Sequence, residues 1–273
     1  MSKTLIVQRL DGTTYDLDKL GIKVIEFSPP SPSYNFNSVQ IGKYGEKLMG
    51  VTVGQRQIPI SMDVFASNNL TILAKRQKFF QIFDSMEDFY IIDYRIKTIR
   101  WKVRADQQPF KFYDNWHMGG DVSFNLNCID GYAESIDTTA NIDDLSKWSS
   151  VGGMNLPLDK KLKYKYGIPE FDIYNASSIE IRAEERPYRI VFTGTASNLT
   201  IYNETTDQTF ELNTSITNGD EFVLNGPLPF LNGSMIYDSG NHEFIDLAKG
   251  WNHIKISGYQ GDFTILFDTR FYY

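Results

Sequence analysis

Ile58, Ile60, Met62 and Val64 alternate with Gln57, Pro59, Ser61 and Asp63, and a period of two predicts a strand with one buried and one wet face. Pro59 has no N–H to give to a ladder, so the same segment is expected at a sheet edge or a bulge. Ile99, Trp101 and Val103 alternate with Arg100, Lys102 and Arg104, and Val122, Phe124, Leu126 and Cys128 with Ser123, Asn125 and Asn127, which predicts two more half-buried strands. Between these strands the period changes. Leu70, Leu73, Ala74, Phe80 and Phe83 recur near helical spacing while Lys75, Arg76 and Lys78 fall outside the stripe, which predicts a helix over 70–83 with Ser67 as its N-cap. Asp11-Gly12 and Asp130-Gly131 are turn pairs. The first part of the chain is therefore expected to be mostly β with one packed helix.

Beyond residue 135 no helical window survives. Short apolar-alternating runs at 171–174, 179–181, 188–192, 199–202, 209–212, 221–224, 234–237, 252–256 and 262–267 are separated by turns such as Asn203 to Asp207 and Thr217 to Asp220. Many short strands between Asn, Gly and Asp turns predict an antiparallel β-sandwich of jelly-roll or lectin type.

Charge divides the chain in the same place. Residues 1–135 hold 16 Lys and Arg against 15 Asp and Glu, and the remainder holds 11 against 19, so nearly all of the net charge of -7 belongs to the second part. Ser135 to Asp144 is polar and rich in Asp, Thr and Asn, as linkers are. The expected organisation is a first domain over 1–136, a linker over 137–144 and a sandwich domain over 145–273. With 273 residues, 41% hydrophobic and 14% aromatic, the chain can fill two ordinary cores, and disorder, collagen and coiled coil are excluded. An acidic balance, with a sequence pI near 5.1, lacks the electrostatic footprint of a specific nucleic-acid binder. One cysteine, Cys128, allows no internal disulfide and no thiolate metal cluster, which fits a reducing compartment. No apolar run reaches the ~20 residues of a membrane helix, and Gln8 and Arg9 interrupt the only apolar start, so a soluble protein made in the cytoplasm, without membrane insertion, is expected. The N-x-[ST] triplets at Asn69, Asn198 and Asn203 are what an Asn- and Thr-rich β sequence produces by chance.

Catalytic chemistry is not indicated. His117, His242 and His253 have no His or Cys at metal-ligand spacing, and no nucleophile elbow, phosphate loop or dinucleotide fingerprint is present, so no metal, cofactor or catalytic residue is expected. His242 with Glu243 and Asp246 reads as loop chemistry rather than as an acid-base cluster. Asp143-Asp144 and Glu184-Glu185 are adjacent pairs that point to opposite faces if extended, the wrong geometry for two carboxylates sharing a substrate. Cys128 falls on the apolar side of its strand and reads as a small buried hydrophobe. The aromatic content offers one binding candidate: Trp148, Trp251 and Tyr259 as a platform for sugar rings, against the alternative that they pack the core or the sandwich ends. Phe271-Tyr272-Tyr273 offers an anchoring tail.

The order of these motifs resembles one family, the distal tail protein (Dit) of phages and prophages with long non-contractile tails that infect Gram-positive bacteria. The resemblance rests on Leu10-Asp11-Gly12-Thr13-Thr14-Tyr15-Asp16-Leu17 with Leu20-Gly21-Ile22, on Gly50 to Phe65, on the 70–83 helix followed by Phe89-Tyr90-Ile91-Ile92 and Ile99-Arg100-Trp101-Lys102-Val103, and on Phe124-x-Leu126 leading into Asp130-Gly131-Tyr132-Ala133-Glu134-Ser135. The family more often has Pro where this chain has Gly131. In the second part Pro169 to Asn175, Tyr188 to Gly194, Leu199 to Asn203 and Leu247 to Ile254 are similar to the family's galectin-like sandwich.

The resemblance implies a mainly β fold, with an N-terminal β-barrel-like domain carrying one packed helix and a C-terminal galectin-like antiparallel β-sandwich. It also implies a structural role at the virion tail tip: a homo-hexameric ring formed by the N-terminal domains, joining the tail tube or major tail protein to a tail-associated fibre or lysin protein and, in many phages, to receptor-binding proteins. DNA would pass through such a ring without being read. A second reading, from a different class, is a carbohydrate-binding sandwich that grips host cell-wall glycans through Trp148, Trp251 or Tyr259. Oligomeric state and glycan binding separate the two.

Overall fold

The computed structural model describes residues 5–113, 119–144, 148, 154–157 and 160–273. His117 lies outside the described residues. The chain divides into two compact units, 1–134 and 135–273.

The first unit runs β1 (Leu5–Arg9), β2 (Thr14–Asp16), β3 (Ile22–Phe27), β4 (Ser33–Gln40), β5 (Glu46–Gly54), β6 (Arg56–Phe65), α1 (Asn69–Ile82), β7 (Phe89–Asp93), β8 (Ile99–Ala105), β9 (Phe110–Phe112) and β10 (Gly119–Cys128). All but β4 and β5 join one antiparallel sheet in the order β2-β1-β7-β8-β10-β6-β3, with β9 added to β10. The predicted alternation is obeyed: Ile58, Ile60, Met62 and Val64 on β6 and Val122, Leu126 and Cys128 on β10 are all buried. Contrary to expectation, β6 is an interior strand. Its ladder with β3 stops at the Phe27–Ile60 pair, so Pro59 sits one residue past that ladder and its missing N–H costs the sheet nothing on that side.

The helix forms where expected, with two corrections. Asn68 rather than Ser67 is the N-cap, its Oδ1 accepting from the Thr71 N–H at 2.9 Å. The buried face is Ile72, Phe79, Ile82 and Phe83, while Leu73 and Ala74 are exposed and the side chain of Leu70 lies outside the described residues. Four large rings decide this rotation. Phe79 and Phe83 meet Phe124 edge-on at 6.2 and 5.4 Å and Phe83 meets Phe89 at 6.0 Å, and two buried Phe side chains at about 1.5–3 kcal/mol each, with their ring contacts, outweigh the one large side chain and one methyl of Leu73 and Ala74.

The second unit follows the short strand β11 (Glu134–Ser135) and contains β12 (Lys165–Tyr166), β13 (Glu170–Asn175), β14 (Tyr188–Asn203), β15 (Gln208–Glu211), β16 (Ser215–Ile216), β17 (Glu221–Asn225), β18 (Leu228–Leu231), β19 (Ser234–Met235) and β20 (Gly250–Thr269). Two pairs of expected strands are single long strands: 188–192 and 199–202 are both β14, and 252–256 and 262–267 are both β20. β14 pairs with residues 254–269 of β20, from Tyr188–Thr269 to Asn203–Ile254, with register shifts at Gly194/Thr195 and Ala196/Thr200. The shifts divide the pair into two ladders. Residues 189–193 of β14 carry β17, 200–203 carry β15, and the 250–255 half of β20 carries β13.

Ring contacts then join the two halves across a common core. Phe171 of β13 meets Phe267 of the far half of β20 at 5.8 Å, and Phe210 of β15 stacks on Phe222 of β17 at 5.8 Å. This is how an antiparallel sandwich turns a corner, by bending continuous strands at bulges. The segment at 179–181 is not a strand but a single bridge, Ile181 to Leu247, and 234–237 passes from β19 into a 3-10 turn at Tyr237–Ser239.

The last residues close this unit. Phe271 and Tyr272 are buried and the Tyr273 hydroxyl donates to the Met154 carbonyl at 3.1 Å, so Phe271-Tyr272-Tyr273 is core rather than a free anchoring tail. Thr139, in the stretch expected as a linker, is also buried and donates to the Phe267 carbonyl at 2.7 Å.

Candidate assembly surface

Strands β4 and β5 pair only with each other. Pro29, Pro30 and Pro32 separate β3 from β4, and proline offers no N–H and fixes φ, so the body ladder cannot continue into the hairpin. Gln55 alone forms the matching break between β5 and β6. The result is a two-stranded arm closed at its tip by the Ile41 N–H donating to the Gly45 carbonyl at 3.0 Å.

The arm buries almost nothing on itself. Tyr34 lies opposite Val53 and Phe36 opposite Val51, so these four share one face, and Leu48 joins it opposite Ser38 because the extra residue at the bulge, Met49, lies on β5. Phe36 is 69% exposed and Met49 65%. The only charges over 33–54 are Lys43, Glu46 and Lys47. A lone hairpin is marginal in water, and a contiguous exposed apolar face marks an interaction surface. This is the most distinctive surface of the first unit.

The root of the arm is held firmly. Arg56 begins β6 and is 6% exposed, its guanidinium 4.9 Å from the Trp101 ring and 5.7 Å from that of Tyr132, and burial pushes its pKa down from the ordinary arginine value. Gly131, at φ +72°, brings its backbone so close that a Cβ would stand 2.8 Å from Val53 Cγ1. None of this hairpin emerged from the strand and helix patterns first read in the sequence. The usable signal was Tyr34-x-Phe36 and Val51-x-Val53 about a Gly-Lys-Tyr-Gly turn, bounded by three prolines.

The expected sugar platform is dispersed. Trp148 is buried, with its Nε1 donating to the Asn141 carbonyl at 3.1 Å and its ring edge-on to Phe271 at 5.6 Å, so it cannot present a face to a ligand. Tyr259 is half-buried against Phe263 at 4.5 Å, on the far ladder of β20 from Trp251. Trp251 alone is exposed.

The other candidate residues serve structure. Asp246 accepts from the Ala183 N–H at 2.7 Å and from Gln208 Nε2 at 3.1 Å, and the His242 ring lies tilted against Tyr237 at 4.4 Å. Cys128 is fully buried. Asp143 pairs with Lys161 at 2.8 Å and Glu185 with Arg182 at 3.3 Å. A recess of about 330 Å³ in the first unit is lined by Asp88, Lys102, Arg104 and Asp130, with Asp88 held by Lys102 at 3.3 Å and Arg104 at 2.5 Å. Among the described residues no group of three or more His, Cys, Asp or Glu is placed to hold a metal ion, and no helix is long and apolar enough to cross a membrane.

Comparison with known proteins bears on the same surface. Residues 10–126 match the family described as the phage tail protein RIFT-related domain, a span that includes the whole arm. No curated protein sequence matches the chain. Among solved structures, the Dit protein (gp 19.1) of phage SPP1, described as a hub of the adsorption apparatus of phages infecting Gram-positive bacteria, superposes with a TM-score of 0.71 at 13% identity, covering 98% of this chain and all of that one. A chain of the phage p2 baseplate in its activated conformation with Sr superposes with a TM-score of 0.50 at 11% identity, covering 99% of this chain and 98% of that one. The resemblance carried by the sequence motifs is therefore borne out: residues 10–126 match the phage tail protein RIFT-related domain, and the chain has the fold of the SPP1 Dit protein.

Proposed function

We propose that the protein is a structural hub of a phage tail tip, six copies closing into a ring through their first units while the acidic, galectin-like second units face outward. In this reading the ring joins the tail tube to a tail-associated fibre or lysin protein and to receptor-binding components, and DNA passes through it during infection. The single observation that carries the reading is the arm: an apolar hairpin face of Tyr34, Phe36, Leu48, Val51 and Val53 that its own unit leaves in water. The family match over 10–126 supports a role in the tail, and the likeness to SPP1 Dit supports the hub. No catalytic role enters this reading. Synthesis in the host cytoplasm and assembly into the virion tail complete it.

The test is the mass of the purified protein by light scattering, with negative-stain imaging over a concentration series and with the tail-tube protein added. Six-membered rings support the reading; a strict monomer under all these conditions overturns it. Phe36→Asp and Val51→Lys are the variants of choice. Both side chains are exposed in the single chain, so loss of the ring with an unchanged thermal midpoint assigns the contact to the arm, which changes at Ile58 or Ile60 in the core cannot do.

A further inference from the structure

One face of the second unit carries a row of cross-strand pairs that are exposed or half-buried. On β13 and β20, Tyr174 lies directly opposite Trp251, Asp172 opposite His253 and Glu170 opposite Lys255, while the intervening Phe171, Ile173, Asn252 and Ile254 are buried. From β14 and the turn after it, Tyr202 pairs with Lys255 and Glu204 reaches the Lys255 Nζ at 3.1 Å. His253 Nδ1 and Asp172 Oδ1 are 2.8 Å apart, and Glu170 stands 3.6 Å from Lys255. An indole, two phenol rings, an imidazole, an ammonium and three carboxylates thus share one sheet surface. Aromatic faces stack on the C–H face of a pyranose, and carboxylates and His bind its hydroxyls.

Lys160 adds the specific element. Its Nζ lies 3.9 Å from the centre of the Trp251 ring and 3.6 Å from Asp172 Oδ2, so an ammonium is held between a π face and a carboxylate. Tyr174 closes one side of this corner, 4.9 Å from Trp251. An aromatic ring beside a carboxylate is how proteins recognise alkylammonium groups, and here the protein's own lysine fills the place. The lysine side chain is 54% exposed and enters from outside the sheet, so an incoming ammonium can take over its contacts. Acidic residues outnumber basic ones 19 to 11 beyond residue 135, which favours a cationic over an anionic ligand.

We propose that this corner binds a glycan containing amino sugars with free amines: a glucosamine-type ring lies on Trp251, its ammonium replaces that of Lys160 beside Asp172, and its hydroxyls meet His253 and the carboxylates of Glu170 and Glu204. The site belongs to the second unit and does not depend on ring assembly.

The test uses the full chain and two probes of equal length, a β-1,4-linked tetramer of glucosamine and its fully N-acetylated counterpart, titrated by calorimetry. The deacetylated tetramer is expected to bind about tenfold more tightly than the acetylated one. Trp251→Ala and Asp172→Asn are expected to abolish binding, and Trp251→Phe to retain part of it. Lys160→Gln is expected to tighten binding about threefold, because it removes the resident competitor. This last variant changes an exposed side chain and so keeps the test valid should Trp251→Ala fail to fold. Absence of binding, equal binding of both tetramers, binding unchanged in Trp251→Ala, which is what general attraction of a polycation to an acidic surface gives, or weaker binding in Lys160→Gln would each overturn the proposal.

Discussion

Ser135 and Phe271 hold each other through both backbones. The Ser135 N–H donates to the Phe271 carbonyl at 2.8 Å, and the Phe271 N–H donates to Ser135 Oγ at 3.1 Å. The first and last segments of the second unit are thereby fastened side by side, and Arg270 adds a bond from Nη1 to the Ser135 carbonyl at 2.7 Å.

Since Phe271 is fully buried and its ring meets both Trp148 and Tyr164, Phe271→Ala is expected to cost the second unit about 3–5 kcal/mol. Ser135→Ala, which leaves the Phe271 N–H without its acceptor, is expected to cost about 1–3 kcal/mol. Urea unfolding followed by tryptophan fluorescence reads both, because Trp148 lies beside the altered ring. A change below 1 kcal/mol for Phe271→Ala would show that the C-terminal segment does not close the unit.

The legible parts of the fold are those in which one residue decides one contact. The alternation at Ile58 to Val64 placed four side chains in the core because strand geometry leaves them no other side. The helix stripe was misplaced because Leu73 and Ala74 fit the period as well as Ile72 and Phe79 do, and only the neighbouring rings of Phe110 and Phe124 choose between them. The departure at Gly131 now has a reason: its φ of +72° is closed to the proline more usual in the family, whose ring fixes φ near −65°. Of the sugar candidates, Trp251 stands on the surface and Trp148 does not, a distinction that depends on the Asn141 carbonyl and Phe271 and has no trace in local spacing. The arm was missed because its pattern obeys strand alternation without any core to face.

Asp88 supplies a pH-dependent element of the first unit. A hydrogen bond from the Arg104 side chain, and then the Lys102 contact, hold its carboxyl below the usual aspartate range. A carboxylate with a lowered native pKa adds stability above its unfolded pKa, and that contribution disappears as pH falls through the lower native value. Asp88→Asn is therefore expected to be less stable than the unaltered protein by about 0.5–1 kcal/mol at pH 6, with the difference shrinking as pH falls below the ordinary aspartate value of about 3.9 and through the lower native one. Thermal midpoints of the pair from pH 7 downward check it, and a gap that does not shrink with falling pH would assign the loss to packing instead of charge.

The corner of β20 makes the most demanding prediction, because two strands bend there at one place. Gly258 has φ +78°, and a Cβ on it would stand 2.1 Å from the Asn198 carbonyl oxygen and 2.9 Å from that of Ser197. Both are backbone atoms of β14, so neither can swing aside as a side chain would. The left-handed conformation alone costs a non-glycine residue about 1–2 kcal/mol, and the overlap adds to it. Gly258→Ala is expected to destabilise the second unit by at least about 3 kcal/mol. Hydrogen exchange localises the effect: amides of 200–203 and 254–257, which form the ladder beside the corner, should exchange faster, while those of β6 and β10 in the first unit stay protected. Equal acceleration across both units would mean that the two unfold together and that the corner is not a separate element of stability.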